Sequence, residues 1–373
     1  MPVLHKLAGA VVVVALVLGF VLPGDRNPPE AATAARAAAT PPPAAPASVA
    51  PSPEPSGPAA PPATPTPTTP PDAPLPEAAP AARAARANEL GVVPVLMYHR
   101  IVAKPEQSLD RSVGELRAEL TALARDGYVP VTAAEFVRGD LDVPAGRHPV
   151  VLTFDDGTPG HFALDANGAP APDTAVAVLR EVARAHPGFR PVATFYVNED
   201  MFGLGDRAAE GLAWLVRNGF EIGNHTRTHA DLSALTKKRV RAEIGDLERR
   251  IVELTGAHTA TLAYPFGAVP RTPSWARRDG DRYGFQGVFL AGWRPSESPF
   301  AAAFDRYAIN RVRSEGKIKE NDCRRYCSVA WLEHLRKNPG ERYTSDGDPA
   351  TITFPRAASD RLASHLRDRG RVY

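Results

Sequence analysis

The feature that most limits how this chain can fold is an alternation of two patterns from Gly91 onwards. Short β-branched and apolar runs, typical of strands, alternate with segments of helical periodicity. This order predicts an α/β domain in which crossover helices connect parallel strands. The seven candidate strands are Val92–Met97, Val150–Phe154, Val192–Val197, Phe220–Gly223, Thr261–Tyr264, Gly287–Leu290 and Tyr307–Asn310. Seven strands are close to the number that closes a barrel.

Two helices and one loop are predicted from local signals. Ser112 and Glu115 form the pattern of a capping box, which opens a helix with leucines facing inward. A second helix is predicted at about Thr236–Leu254, because its apolar residues recur at helical spacing and Gly256 follows. The segment His161–Asp173 has the composition of a loop between a strand and its helix.

The N-terminal residues 1–25 predict an export signal. Leu7–Leu22 is an uncharged apolar run of 16 residues that follows Lys6, a length at the border between a cleavable signal and a membrane anchor. Pro23-Gly24-Asp25 offers no small-x-small cleavage site directly after the run, which favours an uncleaved anchor. The alanine-rich stretch from Ala31 leaves cleavage open. We therefore expect an exported protein at the cell surface or outside the cell.

Residues 26–90 predict a disordered linker rich in proline and alanine. Of the 39 prolines in the chain, 17 lie between Pro41 and Pro80. Large apolar side chains are almost absent there, so the segment cannot bury enough surface to offset its chain entropy. The folded domain is accordingly predicted at residues 91–373.

The charge of the chain argues against a nucleic-acid-binding protein. The formal net charge is only +2, and basic residues are interspersed with acidic ones instead of forming a stripe. We expect no nucleic-acid partner.

The two cysteines, Cys323 and Cys327, predict a disulfide. An exported location favours oxidation, and zinc is the alternative, although two thiols without nearby ligands make a weak zinc motif. Because cysteines four apart on one regular helix are poorly placed for a bridge, pairing predicts a bend or loop between them.

The segment Thr153-Phe154-Asp155-Asp156-Gly157 places two adjacent carboxylates at the end of a buried strand. Neighbouring side chains of a strand point to opposite faces, so both carboxylates reach one site only if the chain turns there, as Gly157 permits. A metal ligand beside a general base is a natural division of labour for such a pair. A solvated Asp-Asp-Gly turn is the alternative.

His225 and His229 follow the candidate strand Phe220–Gly223 and lie four residues apart. From a helical turn, two imidazoles at this spacing can bind one ion. Together with Asp156 they predict a zinc-like site with an open position for the water that catalytic sites activate. An unrelated pair of surface histidines is the alternative.

A third segment, Ala263-Tyr264-Pro265-Phe266-Gly267, also follows an apolar strand. With it, the chain resembles the polysaccharide deacetylase family, also called NodB-homology proteins or family 4 carbohydrate esterases, over roughly Val92–Arg313. The resemblance implies a distorted (β/α)7 barrel of NodB type. It also implies a hydrolase that removes N-acetyl groups from an extracellular polysaccharide and releases acetate.

The resemblance assigns roles to the residues of the matching motifs. Asp155 corresponds to the catalytic base, and Asp156, His225 and His229 correspond to the ligands of a divalent ion, which we expect to be zinc. Phe266 stands where the family has the residue whose backbone N–H binds the oxyanion.

Two family residues are replaced in this chain. The family's third motif begins with an arginine where this chain has Ala263, and the late general-acid histidine is replaced near Ile309. His99 is our candidate for the acid, and Arg311 or Arg313 for the arginine that orients Asp155. Leu96-Met97-Tyr98-His99-Arg100 and the altered third motif resemble the branch that acts on poly-N-acetylglucosamine.

Several alternatives stay open at this stage. Peptidoglycan, chitin and acetylated xylan are the alternative substrates, and a catalytically weak carbohydrate-binding module is an alternative of a different functional class. A glycoside hydrolase is disfavoured because its carboxylates need no histidine ligands. Trp293 and Ile309 are candidates for the wall of an acetyl pocket, with an ordinary core role as the alternative.

Overall fold

The computed structural model describes residues 74–318 and 322–373. The predicted export segment and the linker up to residue 73 lie outside the described residues. All the described residues belong to one compact unit. None of its helices combines the length and the apolar character that a membrane crossing requires.

The strands and helices alternate along most of this unit. The strands are β1 Val95–Tyr98, β2 Ile101–Val102, β3 Arg111–Ser112, β4 Tyr128–Val131, β5 His148–Phe154, β6 Thr194–Val197, β7 Glu221–Asn224, β8 Thr261–Ala263, β9 Gly287–Phe289, β10 Val312–Arg313, β11 Ile352–Phe354 and β12 Gly370–Val372. The helices are α1 Pro80–Ala84, α2 Val113–Arg125, α3 Ala133–Arg138, α4 Ala175–Ala185, α5 Ala208–Arg217, α6 Lys237–Thr255, α7 Ser274–Arg277, α8 Cys323–Tyr326 and α9 Ser328–Lys337.

The main sheet is parallel and curls into a barrel. Its strands follow the order β10-β1-β5-β6-β7-β8-β9, and β4 pairs with β5 outside this path. The two ends of the sheet are joined by one segment, because Ile309 pairs with Phe289 while Val312 pairs with Leu96. The predicted α/β class and the distorted (β/α)7 barrel are confirmed.

The seventh predicted strand, Tyr307–Asn310, is displaced in the structure. Only Ile309 bridges to β9, and the regular pairing begins at Val312, against β1. The cause is that this segment crosses from β9, at one end of the sheet, to β1, at the other end. Its backbone forms regular strand pairing only after it reaches β1. The strand β4 was not predicted, and its Pro130 agrees with its place on the edge, where a missing N–H is tolerated.

Both faces of the sheet are buried, which explains the continuous apolar run of β5. Val150 and Leu152 pack with the helices outside the barrel, in a core that includes Leu179. Val151 faces the opposite way and packs with Tyr196. Parallel sheets covered on both faces favour such uninterrupted apolar strands.

The two predicted helices are confirmed with their caps. The Ser112 side chain accepts a hydrogen bond from the Glu115 backbone N–H, and Glu115 accepts one from Ser112, so the capping box of α2 is complete. The helix α6 follows Thr236 and ends at Gly256, whose φ of 76° gives the left-handed cap.

The predicted linker extends too far toward the domain. Residues from 74 onwards are folded: Leu75 and Ala82 are buried, and backbone N–H groups of Ala78 and Asn88 donate to Val372 and Thr344 at 2.8 Å. The partners come from the C-terminal end of the chain, around β11 and β12. Composition cannot reveal them, because they are distant in sequence.

The predicted disulfide between Cys323 and Cys327 is present, with the two Cα atoms 4.5 Å apart. The expected interruption of the helix is also found. Cys327 has extended backbone angles between α8 and α9, and this break brings the two sulfurs together.

Candidate active site

The candidate site lies at the end of the barrel where the parallel strands finish. His99, Asp155 and His225 each follow directly after the last residue of β1, β5 and β7. The carboxyl ends of parallel strands meet at one rim, so residues far apart in sequence become neighbours. Arg311 joins them from the segment that closes the barrel.

Asp156, His225 and His229 form a three-residue cluster suited to a divalent ion. The Asp156 Oδ1 atom lies 3.5 Å from His225 Nε2 and 3.3 Å from His229 Nε2. One ligand atom from each residue lies within 4.8 Å of the others. Two imidazole nitrogens and a carboxylate oxygen are a ligand set that zinc accepts, with further positions left for water or substrate. The residues present therefore fit a metal ion.

Left-handed backbone at non-glycine residues shapes this cluster. Asp156 has a φ of 78°, Thr226 of 62° and His229 of 55°. The sequence predicted that Gly157 would provide the turn that brings both aspartates to one site. In the structure this turn begins one residue earlier, at Asp156, and continues through Gly157. Such conformations are costly for residues with a Cβ and concentrate at functional sites.

The predicted helical turn between His225 and His229 is wrong. No residue from 225 to 230 is helical, and the chain instead bends where Thr226 and His229 have positive φ. The Thr226 hydroxyl accepts a hydrogen bond from the Ala230 N–H at 3.2 Å. A tight loop therefore achieves the convergence that the spacing had suggested for a helix.

The orientation of His225 is set by a backbone carbonyl. Its Nδ1 lies 2.8 Å from the Ala263 carbonyl oxygen. Because a carbonyl can only accept, Nδ1 carries the proton and Nε2 presents its lone pair toward Asp156. This is the usual arrangement of a ligand histidine and its outer partner.

Asp155 is held by Arg311 through two hydrogen bonds. The guanidinium nitrogens donate to Oδ1 at 2.6 Å and to Oδ2 at 2.8 Å. Burial by itself raises the pKa of Asp155, but the positive charge and the hydrogen bonds of Arg311 outweigh it and hold the pKa well below its usual range. Asp155 is therefore ionised at neutral pH. Of the two arginines considered from sequence, Arg313 instead contacts Asp322, at 2.7 Å.

His99 lies within electrostatic range of this cluster. Burial is the largest influence and lowers the pKa of His99 below its ordinary value, while the negative charges of Asp155 and Asp156 act in the opposite direction. The imidazole is therefore neutral at neutral pH. Its protonated form, once generated, is a stronger acid than a free histidine.

Residues 142–286 match the family model described as polysaccharide deacetylase. This chain contains a polysaccharide deacetylase domain. The matched segment includes Asp155, Asp156, His225 and His229. His99 and Arg311 lie outside it, one on each side.

Relatives of this deacetylase domain share a modest part of its sequence. The chain is 25% identical over 228 residues to YxkH of Bacillus subtilis (strain 168), named as a candidate polysaccharide deacetylase, with 59% of this chain and 71% of the relative covered. Among solved structures, it is similar to the deacetylase PplD of Streptococcus pyogenes in complex with acetate, at 20% identity and a TM-score of 0.49, covering 64% of this chain and 98% of the other. It is also similar to BC0361, a polysaccharide deacetylase from Bacillus cereus, at 24% identity and a TM-score of 0.47, covering 61% of this chain and 66% of the other.

One residue of the deacetylase site was missed from sequence. His161 is fully buried, its Nδ1 accepts a hydrogen bond from the Thr158 N–H at 3.2 Å, and its Nε2 donates to the His99 carbonyl. Burial lowers the pKa of His161 to about 4, so the ring is neutral. His161 thereby connects the loop after β1 to the loop after β5.

The packing around His161 explains why the sequence did not reveal it. Its ring lies 5.3 Å from the ring of Phe154 and 6.1 Å from that of Phe195. The preceding Gly160 passes so close to β2 that an added Cβ would lie 2.0 Å from the Ile101 carbonyl oxygen. A histidine at the start of a predicted loop carries no signal of these contacts, which form only when the two loops meet.

Phe266 lies beside the metal cluster of the deacetylase. Its ring centroid is 4.5 Å from that of His229, and the two rings are nearly perpendicular. The side chain is 71% exposed, and a φ of 57° turns the backbone sharply after Pro265. This places the residue at the site, while its predicted role as an oxyanion donor stays a prediction.

The two candidate wall residues have different positions. Ile309 is buried in the barrel core with Phe289 and Tyr196, so its ordinary core role is the one that the packing supports. Trp293 is 56% exposed and lines a separate cavity with Tyr326 and Trp331.

Proposed function

We propose that this protein is a metal-dependent N-deacetylase of an extracellular polysaccharide. The observation that carries the proposal is the pairing of two groups at one rim of the barrel. A buried carboxylate, Asp155, is ionised and held by Arg311, next to a carboxylate and two histidines that fit one divalent ion. A general base beside a Lewis-acid site is a combination that can hydrolyse an amide.

We propose zinc as the ion, held by Asp156, His225 and His229. When bound, it would supply Lewis-acid chemistry, which polarises a carbonyl and makes water more acidic. The structure supports this choice through the ligand types and through the proton that His225 Nδ1 donates to the Ala263 carbonyl.

The protein's own residues would divide the remaining steps. Asp155 accepts a proton from the attacking water, and Arg311 keeps its carboxylate aimed at that water. The Phe266 N–H donates to the oxyanion, a contact worth a few kcal/mol in comparable sites. The proton that Asp155 has taken from the water passes to His99, which then gives it to the leaving nitrogen as the C–N bond breaks. Water and the amide are thereby converted to acetate and a free amine.

Among acetylated polymers, we propose poly-N-acetylglucosamine as the substrate. Ala263 stands where other branches have an arginine, and their late histidine is replaced near Ile309. Arg311 and His99 are placed to take over those two roles. Peptidoglycan, chitin and acetylated xylan are the competing substrates that the experiment should include.

We also propose that the reaction takes place outside the cytoplasm. The apolar run Leu7–Leu22, which lies outside the described residues, supports export and a membrane anchor. The buried disulfide between Cys323 and Cys327 supports it independently, because structural disulfides are characteristic of exported proteins.

The experiment is acetate release by the full-length protein from oligomers of each polymer, with added zinc and with a chelator. We expect zinc-dependent release from N-acetylglucosamine oligomers. Asp155→Asn should abolish release, whereas the matched Asp165→Asn, in the loop before α4, should leave it unchanged. Oligomer binding without acetate release from any polymer would instead support a carbohydrate-binding module.

A further inference from the structure

A cavity lies between the segment that follows β9 and the helices α8 and α9. Its volume is about 540 Å³, and its main lining residues are Trp293, Arg324, Arg325, Tyr326, Trp331 and His334. All six lie outside the segment that matches the deacetylase family model, residues 142–286. Three aromatic rings and two exposed arginines in one concave surface form a pocket that the proposed reaction does not use.

The aromatic residues of this pocket are held in place. The Trp331 indole N–H donates to the Trp293 carbonyl at 2.9 Å, and the rings of Trp293 and Tyr326 meet nearly at right angles with centroids 5.5 Å apart. The Cys323–Cys327 disulfide encloses Tyr326 in a short loop. The Arg325 guanidinium lies 5.3 Å from the centre of the Tyr326 ring.

The chain segments that line the pocket adjoin residues next to the candidate active site. Arg311, which holds Asp155, also donates to the Leu290 carbonyl at 2.7 Å. Trp293 is three residues further along the chain, so its Cα lies at most about 11 Å from that of Leu290. On the other side, Arg313 contacts Asp322 at 2.7 Å, immediately before the disulfide loop.

We propose that this pocket binds sugar units of the acetylated polysaccharide next to the unit that loses its acetyl group. The inference rests on the proposed deacetylase function and extends it to the length and charge of the substrate. Aromatic rings pack against the C–H faces of sugar rings, and arginine N–H groups donate to hydroxyl and acetamide oxygens.

The charge of the pocket adds a preference for acetylated neighbours. Arg324 and Arg325 are exposed, and the acidic Glu341 is engaged with His334 at 2.8 Å. A glucosamine unit that has already lost its acetyl group is cationic and would be repelled by the arginines. The pocket should therefore favour stretches that are still acetylated.

The test is calorimetric titration of the full-length protein with N-acetylglucosamine disaccharide and hexasaccharide, in a chelator that prevents turnover. The wild type should bind the hexasaccharide more tightly than the disaccharide. Trp293→Ala should weaken hexasaccharide binding about threefold to tenfold and leave disaccharide binding unchanged. Trp293→Phe should largely retain the affinity, and Val216→Ala, an equally exposed apolar site on α5, is the control.

Two results would overturn the proposal: no loss of hexasaccharide affinity in Trp293→Ala, or an equal loss for both ligands. Tyr326→Ala tests the same pocket independently through the same binding measurement. An error in the proposed deacetylase function would give a different result from an error in the proposed pocket. The protein would then bind the oligomers but release no acetate. If the pocket does not bind sugar units, Trp293→Ala should leave the rate of acetate release unchanged on both long and short substrates.

Discussion

Arg311 donates hydrogen bonds to both carboxylate oxygens of Asp155, although the two residues are 156 positions apart in the chain. Both side chains are almost completely buried. The arginine comes from the segment that closes the barrel, whereas the family's usual arginine would come from the position of Ala263. The contact that orients Asp155 is therefore made from a different segment of the chain.

Arg311→Lys should lower kcat for acetate release by about 100-fold, because lysine keeps the charge but cannot hold both oxygens, and small misplacements of a catalytic group are costly. Zinc affinity should change little, since Arg311 contacts Asp155 and not the ligand cluster. Kinetics and a zinc competition titration measure the two effects. Arg313→Lys is the control, and an equal loss of kcat there would contradict the assignment.

His161→Phe should lower kcat more than it raises KM. The phenyl ring keeps the packing between Phe154 and Phe195, but the hydrogen bond to the His99 carbonyl is lost. His161→Gln should restore much of the rate, because its amide can donate to the same oxygen. Steady-state kinetics and melting temperatures of both variants test this. Equal rates for the two variants would show that His161 serves only packing.

His229→Ala should abolish tight zinc binding. Loss of an outer partner typically costs about 10- to 100-fold in metal affinity, and loss of a direct ligand should cost more. Metal content after dialysis and competition with a chromogenic chelator measure it. The exposed His365→Ala is the matched control, and unchanged zinc affinity in His229→Ala would remove this residue from the ligand set.

Glu89→Gln should become progressively more stabilising as pH rises. Burial raises the pKa of Glu89 to about 8, so the folded state favours its protonated form. The wild type should lose stability from this group as pH rises from about 4.5 to about 8, whereas glutamine stays neutral. Melting temperatures at pH 5, 7 and 9 test this. The exposed Glu199→Gln should show no such trend, and a constant difference between Glu89→Gln and wild type would contradict the prediction.

Local patterns in the sequence were sufficient for much of the fold. The β-branched runs located the strands because a parallel sheet buried on both faces needs continuous apolar residues. The capping box at Ser112 and the glycine after α6 marked helix ends because these signals act within a few residues. The residue types at positions 155, 156, 225 and 229 were recognisable because metal binding restricts which side chains can serve.

The tertiary structure alone decided the features that depend on contacts between distant segments. The sequence left Arg311 and Arg313 as equal candidates, and only the closure of the barrel brought one of them to Asp155. His161 gained its role when two loops met, and residues 74–90 became ordered only through hydrogen bonds to the C-terminal segment. By itself the sequence determined most strands of the barrel and the chemical types of the residues at the site. Which partner each residue has was decided by chain closure, because such contacts depend on positions in space that no local pattern encodes.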